Sequence, residues 1–115
     1  MRQLTLAAAL AAIAAALAVP GFGAAATRNN TLIGTDGPGF TITMNKQTVK
    51  AGTYTIVIHD KSNIHNFHLI GPGVNKATSV PAVVTTTWTV TLKKGIYKFV
   101  CDPHAALMKG VLRVT

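Results

Sequence analysis

From residue 40 onward, apolar and polar residues alternate in short runs, and no stretch holds a helical period for long. Phe40–Met44 alternates apolar with polar, and Thr53–His59 is rich in β-branched and aromatic residues. Ile64–Ile70, Thr85–Leu92, Ile96–Cys101 and Val111–Thr115 continue the series. Turn-forming residues separate them: Asp36-Gly37-Pro38-Gly39, Ala51-Gly52, Gly71-Pro72-Gly73 and Lys93-Lys94-Gly95. Many short strands at this spacing predict an all-β domain, an antiparallel sandwich or barrel.

The period of two also gives side-chain direction. Trp88, Val90 and Leu92 share one face of their strand, with threonines on the other, which places the tryptophan in the core, as the alternation also does Met44. Tyr97, Phe99 and Cys101 share a face of the next strand, so the thiol is aimed inward from the end of a core-facing row. In Ile64–Ile70, His65 and Phe67 lie on one side and Asn66 and His68 on the other.

The N-terminal pattern is different. Met1-Arg2 is a short basic start, Leu4–Val19 is an uncharged apolar run, and Pro20-Gly21 breaks it before Ala24-Ala25-Ala26. This is the three-part organisation of a secretory signal peptide, residues 1–26, with cleavage after Ala26. The run is shorter than the ~20 residues of a spanning helix, so an uncleaved N-terminal anchor is the minor alternative and no stable membrane insertion is expected. Residues 27–115 then form one exported domain, periplasmic or secreted and expected to be a monomer.

Eleven Lys and Arg stand against three Asp and no Glu, a formal charge of +8, or +7 once Arg2 is removed. Such a balance favours acidic partners and speeds their encounter at low salt. Nucleic acid is a poor candidate, because the export signal separates the chain from it and no basic run is interleaved with aromatics.

One cysteine cannot form an internal disulfide, and in an oxidising compartment a lone thiol is a liability or a ligand. Cys101 opens the run Cys101-Asp102-Pro103-His104-Ala105-Ala106-Leu107-Met108, which holds a thiolate, an imidazole and a thioether within eight residues. Pro103 fixes the backbone between the first two and lacks an N–H. A further imidazole must come from elsewhere, and His65 and His68 are the candidates, parity with Phe67 favouring His65. Soft sulfur with imidazole selects copper, and two His and one Cys with a weak axial Met describe a blue-copper electron-transfer site.

The residues from about Asn45 to Thr115 resemble the small cupredoxins, the plastocyanin, pseudoazurin and amicyanin group. The resemblance is carried by His65-Asn66, by Gly95-Ile96-Tyr97-Lys98-Phe99-Val100-Cys101, and by Cys101-Asp102-Pro103-His104 with Met108-Lys109-Gly110. It implies an antiparallel or mixed Greek-key β-sandwich of about seven or eight strands and one copper ion cycling between Cu(I) and Cu(II). His65 corresponds to the first imidazole, Cys101 to the thiolate, His104 to the second imidazole and Met108 to the axial thioether. Asn66 corresponds to a residue that ties the two ligand-bearing segments together near Asp102. The three residues between His104 and Met108 are one fewer than is usual in plastocyanin-like loops and one more than in amicyanin-like ones. Asp102 stands where Ser or Thr is common, and an ionised carboxylate there lowers the potential. Ala105, Ala106 and Leu107 correspond to the apolar surface around the second histidine, where a redox partner docks.

The resemblance therefore implies a one-electron carrier rather than an enzyme, exchanging electrons with an acidic redox protein such as a cytochrome or a copper-containing reductase or oxidase. A copper-storage, delivery or resistance protein is the alternative, which His59 and His68 keep open as extra donors. Thiol hydrolysis by Cys101 and His104 has little support, since no orienting residue is evident and the chain is short for a substrate cleft.

Overall fold

The computed structural model describes residues 30–115. The predicted signal peptide and cleavage point lie outside the described residues. Nine strands are present among these residues: β1 Thr31–Asp36, β2 Ile42–Met44, β3 Thr48–Val49, β4 Gly52–Asp60, β5 His68–Gly71, β6 Val74–Ala77, β7 Val84–Leu92, β8 Gly95–Val100 and β9 Lys109–Val114. A single 3₁₀ turn, Asp102–His104, follows β8.

The strands form two sheets, one ordered β2-β1-β4-β7 and the other β3-β9-β8-β5-β6. Each contains one parallel pair, β1 with β4 and β3 with β9, so both are mixed. The remaining pairs are antiparallel, β4 with β7 being the longest. The predicted all-β sandwich is therefore present, with additional short strands.

The core lies between the sheets and is filled by the inward rows Tyr54, Ile56 and Ile58 of β4 and Tyr97 and Phe99 of β8, with Leu32, Leu69, Leu92, Leu112 and Val114. Phe67 stacks on Phe99 at a centroid distance of 5.8 Å. Gly34 makes room for it, since a Cβ there would stand 2.7 Å from the Phe67 ring. Met44 is in the core as the alternation predicts. Trp88 is only partly buried, packed against the core from its rim.

Two predicted strands are shorter than their patterns. Phe40 and Thr41 belong to the turn before β2, where the Gly37 N–H donates to the Thr41 carbonyl at 2.9 Å. The strand expected over Ile64–Ile70 begins only at His68. The residues before it are held by a side chain: the Phe67 N–H donates to Thr78 Oγ1 at 2.9 Å, while the Thr78 N–H donates to the Phe67 carbonyl at 3.0 Å. Strand parity consequently does not apply to His65, Asn66 and Phe67, all three of which are buried.

Candidate metal centre

Strand β8 delivers Cys101 to one end of the sandwich, fully buried just beyond the inward row of Tyr97 and Phe99. The chain then turns sharply. The His104 N–H donates to the Cys101 carbonyl at 3.1 Å, and the His104 carbonyl accepts from both Leu107 and Met108 N–H groups at 2.9 Å. The Cys101 N–H donates in turn to the Met108 carbonyl at 3.0 Å. Three residues between His104 and Met108 thus suffice to close the loop and return Met108 to the interior, where it is buried.

His65 arrives from the 61–67 connection. Its Nδ1 lies 3.0 Å from Nδ1 of His104 and 3.7 Å from Sγ of Cys101, and the third side, Cys101 Sγ to His104 Nδ1, is 3.6 Å. The centre of this triangle is about 2 Å from each corner, close to metal–imidazole bond lengths of about 2.0–2.1 Å and a little short of metal–thiolate lengths near 2.3 Å. Two imidazole nitrogens aimed at each other at 3.0 Å have lone pairs that repel unless a proton or a cation lies between them. Nε2 of His65 is buried with no partner among the described residues, so the ring makes its polar contacts through Nδ1. A buried thiol and two imidazoles converging at this spacing suit a type 1 copper ion.

Asn66 joins the two segments. Its Oδ1 accepts from the Asp102 N–H at 2.8 Å, and its Nδ2 donates to Asp102 Oδ2 at 2.8 Å and to the Thr78 carbonyl at 3.2 Å. Asp102 also contacts His68, with Nδ1 at 2.8 Å from Oδ1, while His68 Nε2 lies 2.7 Å from Asn75 Oδ1. Partial desolvation acts to raise the Asp102 pKa, but hydrogen bonds from His68 and Asn66 and the charge of His68 outweigh it and hold the carboxyl below its ordinary value. His68 is the counterpart: desolvation lowers it, and bonding to Asp102 and Asn75 with the charge of Asp102 raises it above 6.5 overall.

His68 and His59 lie outside the donor triangle. His68 is occupied by Asp102 and Asn75, and His59 Nδ1 lies 3.2 Å from Thr85 Oγ1.

Phe40 is the site residue that the sequence pattern concealed. It is 56% exposed, yet its ring meets both His65 and His104 edge to face at centroid distances of 4.9 Å. Alternation assigned it to a strand; the turn around Gly37 instead folds it over the two imidazoles. Leu107, 74% exposed, adds a second apolar side chain beside the His104 loop.

Residues 4–114 match the family model of the cupredoxin-like domain. Among curated proteins no sequence matches the chain. Similar solved structures include reduced auracyanin from the photosynthetic bacterium Roseiflexus castenholzii, 21% identical with a TM-score of 0.54 over 75% of this chain and 97% of that one. Reduced rusticyanin is 22% identical with a TM-score of 0.56 over 74% of this chain and 78% of its own. A chain from a heme-copper terminal oxidase dimer is 21% identical with a TM-score of 0.53, covering 74% of this chain and 63% of that one. At these identities the structural likeness establishes the fold.

Proposed function

The chain belongs to the cupredoxin-like family, and from that premise we propose that it is an exported one-electron carrier whose His65, Cys101, His104 and Met108 hold one copper ion. The observation that carries this is the triangle of two Nδ1 atoms and one Sγ, buried at the end of a rigid sandwich. Copper bound there supplies a Cu(II)/Cu(I) couple.

The protein's own groups keep the donors in place. Cys101 is fixed by its strand and by the Met108 carbonyl, His104 by the loop that Cys101 opens, and His65 by Asn66, whose side chain bonds across to Asp102. Little rearrangement then accompanies a change of charge at the centre. Met108, buried and tied back to Cys101 through its backbone, would supply a weak thioether contact to the ion. Cys101 and His65 are shielded from water, whereas His104 is partly exposed between Phe40 and Leu107.

That apolar rim offers a partner a short route to the centre through His104. Small interfaces of this kind suit weak, transient complexes. The charge distribution favours an acidic partner such as a cytochrome. Of the three carboxylates in the chain, Asp36 and Asp60 are buried and Asp102 is engaged by His68 and Asn66. Residues 1–26 are assigned as the export signal and 27–115 as the mature domain.

Copper handling without electron turnover is less well supported, because His59 and His68 have other partners and form no second donor set with the described triangle. Mixing the copper-loaded protein with a reduced acidic c-type cytochrome separates the two. A carrier exchanges electrons rapidly and reversibly, slows as salt rises, and keeps its copper in the presence of a competing metal-free copper protein. Slow exchange with ready copper loss would show a copper donor.

A further inference from the structure

At the end of the core nearest the candidate metal centre, two neighbouring strands each finish on a buried carboxyl. Leu32, Gly34 and Asp36 turn inward along β1, as do Ile56, Ile58 and Asp60 along β4, and the parallel register sets Asp36 beside Asp60. The two residues are 0% and 2% exposed. Among the described residues only one of their four oxygens, Asp60 Oδ1, has a partner, the Ser62 N–H at 3.3 Å. Both oxygens of Asp36 and Oδ2 of Asp60 are buried without a donor from any other described group. Two ionised carboxylates so placed repel each other in a poorly solvated site, whereas one shared proton converts the repulsion into a hydrogen bond. Burial first, then the hydrogen bond with Asp60 and its charge, push Asp36 up to about 7.

The pair abuts the segment that carries His65. Gly37, directly after Asp36, has φ +67°, and a Cβ on it would stand 2.9 Å from Ser62 Cβ and 3.5 Å from Cδ2 of the His65 ring. The Lys61 N–H donates to the Asp36 carbonyl at 3.0 Å, fastening the two strand ends together. Residues 36–37 and 60–62 therefore form a wall behind the first imidazole.

Among the described residues few other titratable groups lie near this pair. On β2, beside β1, are Ile42, Thr43 and Met44, and on β7, beside β4, are Val84, Thr85 and Thr86. His59 alternates with Asp60 and points to the outer face, where it meets Thr85, and Lys61 is exposed. Beyond Lys61, the 61–67 connection adds only His65. His68 and Asp102 pair with each other on the far side of Asn66.

We propose that Asp36 and Asp60 share one proton whose release is coupled to oxidation of the metal centre, so that electron transfer by this protein is proton-linked. This rests on the copper-carrier reading. As one electron leaves the centre for the redox partner, the pair gives up to one proton to water, and as an electron returns it takes one back. A buried carboxylate behind His65 stabilises the more positive oxidised centre, and by reciprocity the oxidised centre favours the carboxylate. The linkage adjusts the driving force to the pH of the compartment.

Two measurements on the full chain test the proposal. Infrared spectra of the metal-free protein between about pH 5 and 9 should show a protonated-carboxyl band that fades near neutral pH and is absent in Asp36→Asn. Redox titration of the copper-loaded protein over the same range should show a potential that falls through neutral pH, at most tenfold in equilibrium constant per pH unit or about 59 mV. Measured in the His68→Gln background, which removes the titration of His68 beside Asp102, the fall should persist, and it should vanish when Asp36→Asn or Asp60→Asn is added. A flat wild-type potential overturns the linkage without need of any variant, as does a fall that survives in either Asn variant or the absence of the infrared band. Failure to form a coloured copper complex overturns the copper reading and the linkage with it; it is told apart by the missing visible absorption, while the infrared titration is unaffected.

Discussion

The side chain of Asn66 is bonded twice to Asp102, accepting from its backbone N–H and donating to its carboxylate, both at 2.8 Å. These contacts join the segment bearing His65 to the loop bearing Cys101 and His104. They are the principal link between donors 36 residues apart, and they are shielded from water on the Asn66 side. Hydrogen bonds to charged groups contribute about 1.5–3 kcal/mol, and a buried N–H left without an acceptor costs a similar amount. Asn66→Ala should therefore destabilise the protein by roughly 2 kcal/mol or more in urea unfolding and speed copper loss to a chelator. Unchanged stability and unchanged metal retention would show that the link is dispensable.

Asp102 places a carboxylate one residue from Cys101, held below its ordinary pKa by His68 and Asn66. A negative charge here favours the oxidised centre. Asp102→Asn should raise the reduction potential by tens of millivolts, on the order of a tenfold change in equilibrium constant at about 59 mV. The effect should be clearest at alkaline pH, where His68 is neutral and no longer compensates the carboxylate. Spectroelectrochemical titration checks this, and a potential that stays level or falls contradicts it.

The metal-free protein should lose stability between about pH 5 and pH 8. Asp36 is raised from 3.8 to about 7 by folding, so its share of stability is complete below pH 3.8 and is lost as pH rises through 7. His68, raised above 6.5, acts in the same direction as pH rises through its folded value. Asp102, lowered from 3.8, opposes them only in acid, its share being present above 3.8 and lost as pH falls through its folded value. At about 1.36 kcal/mol per pKa unit, the Asp36 contribution is on the order of a few kcal/mol. Urea unfolding of the metal-free protein and of Asp36→Asn at both pH values measures it: the wild type should lose more stability than the variant between the two, the variant keeping only the share of His68. Equal stability of the wild type at both would remove the buried-proton account.

Much of this architecture was visible in the chain because β4, β7 and β8 carry long β-branched and aromatic runs. β1 went unread because its inward row is Leu32, Gly34 and Asp36, which breaks the apolar period at the positions that accommodate Phe67 and the buried carboxyl pair. β3 has only two residues and β6 is a mostly polar edge, so neither carries a periodic signal. At the site, the close spacing of Cys101, His104 and Met108 fits one tight loop and was legible locally. The approach of His65 was inferred from strand parity, but the segment is not a strand, and it is Asn66 and Thr78 that hold it. Phe40 could not be found from alternation at all, since its place over the two imidazoles depends on the backbone turn at Gly37.

The central claim is that Cys101 binds copper together with His65 and His104. Addition of one equivalent of Cu(II) to the reduced, metal-free protein, followed by visible absorption, tests it most directly. The account predicts an intense thiolate-to-copper charge-transfer band that is absent in Cys101→Ala. A colourless wild-type product, or a band that survives in the alanine variant, would contradict it.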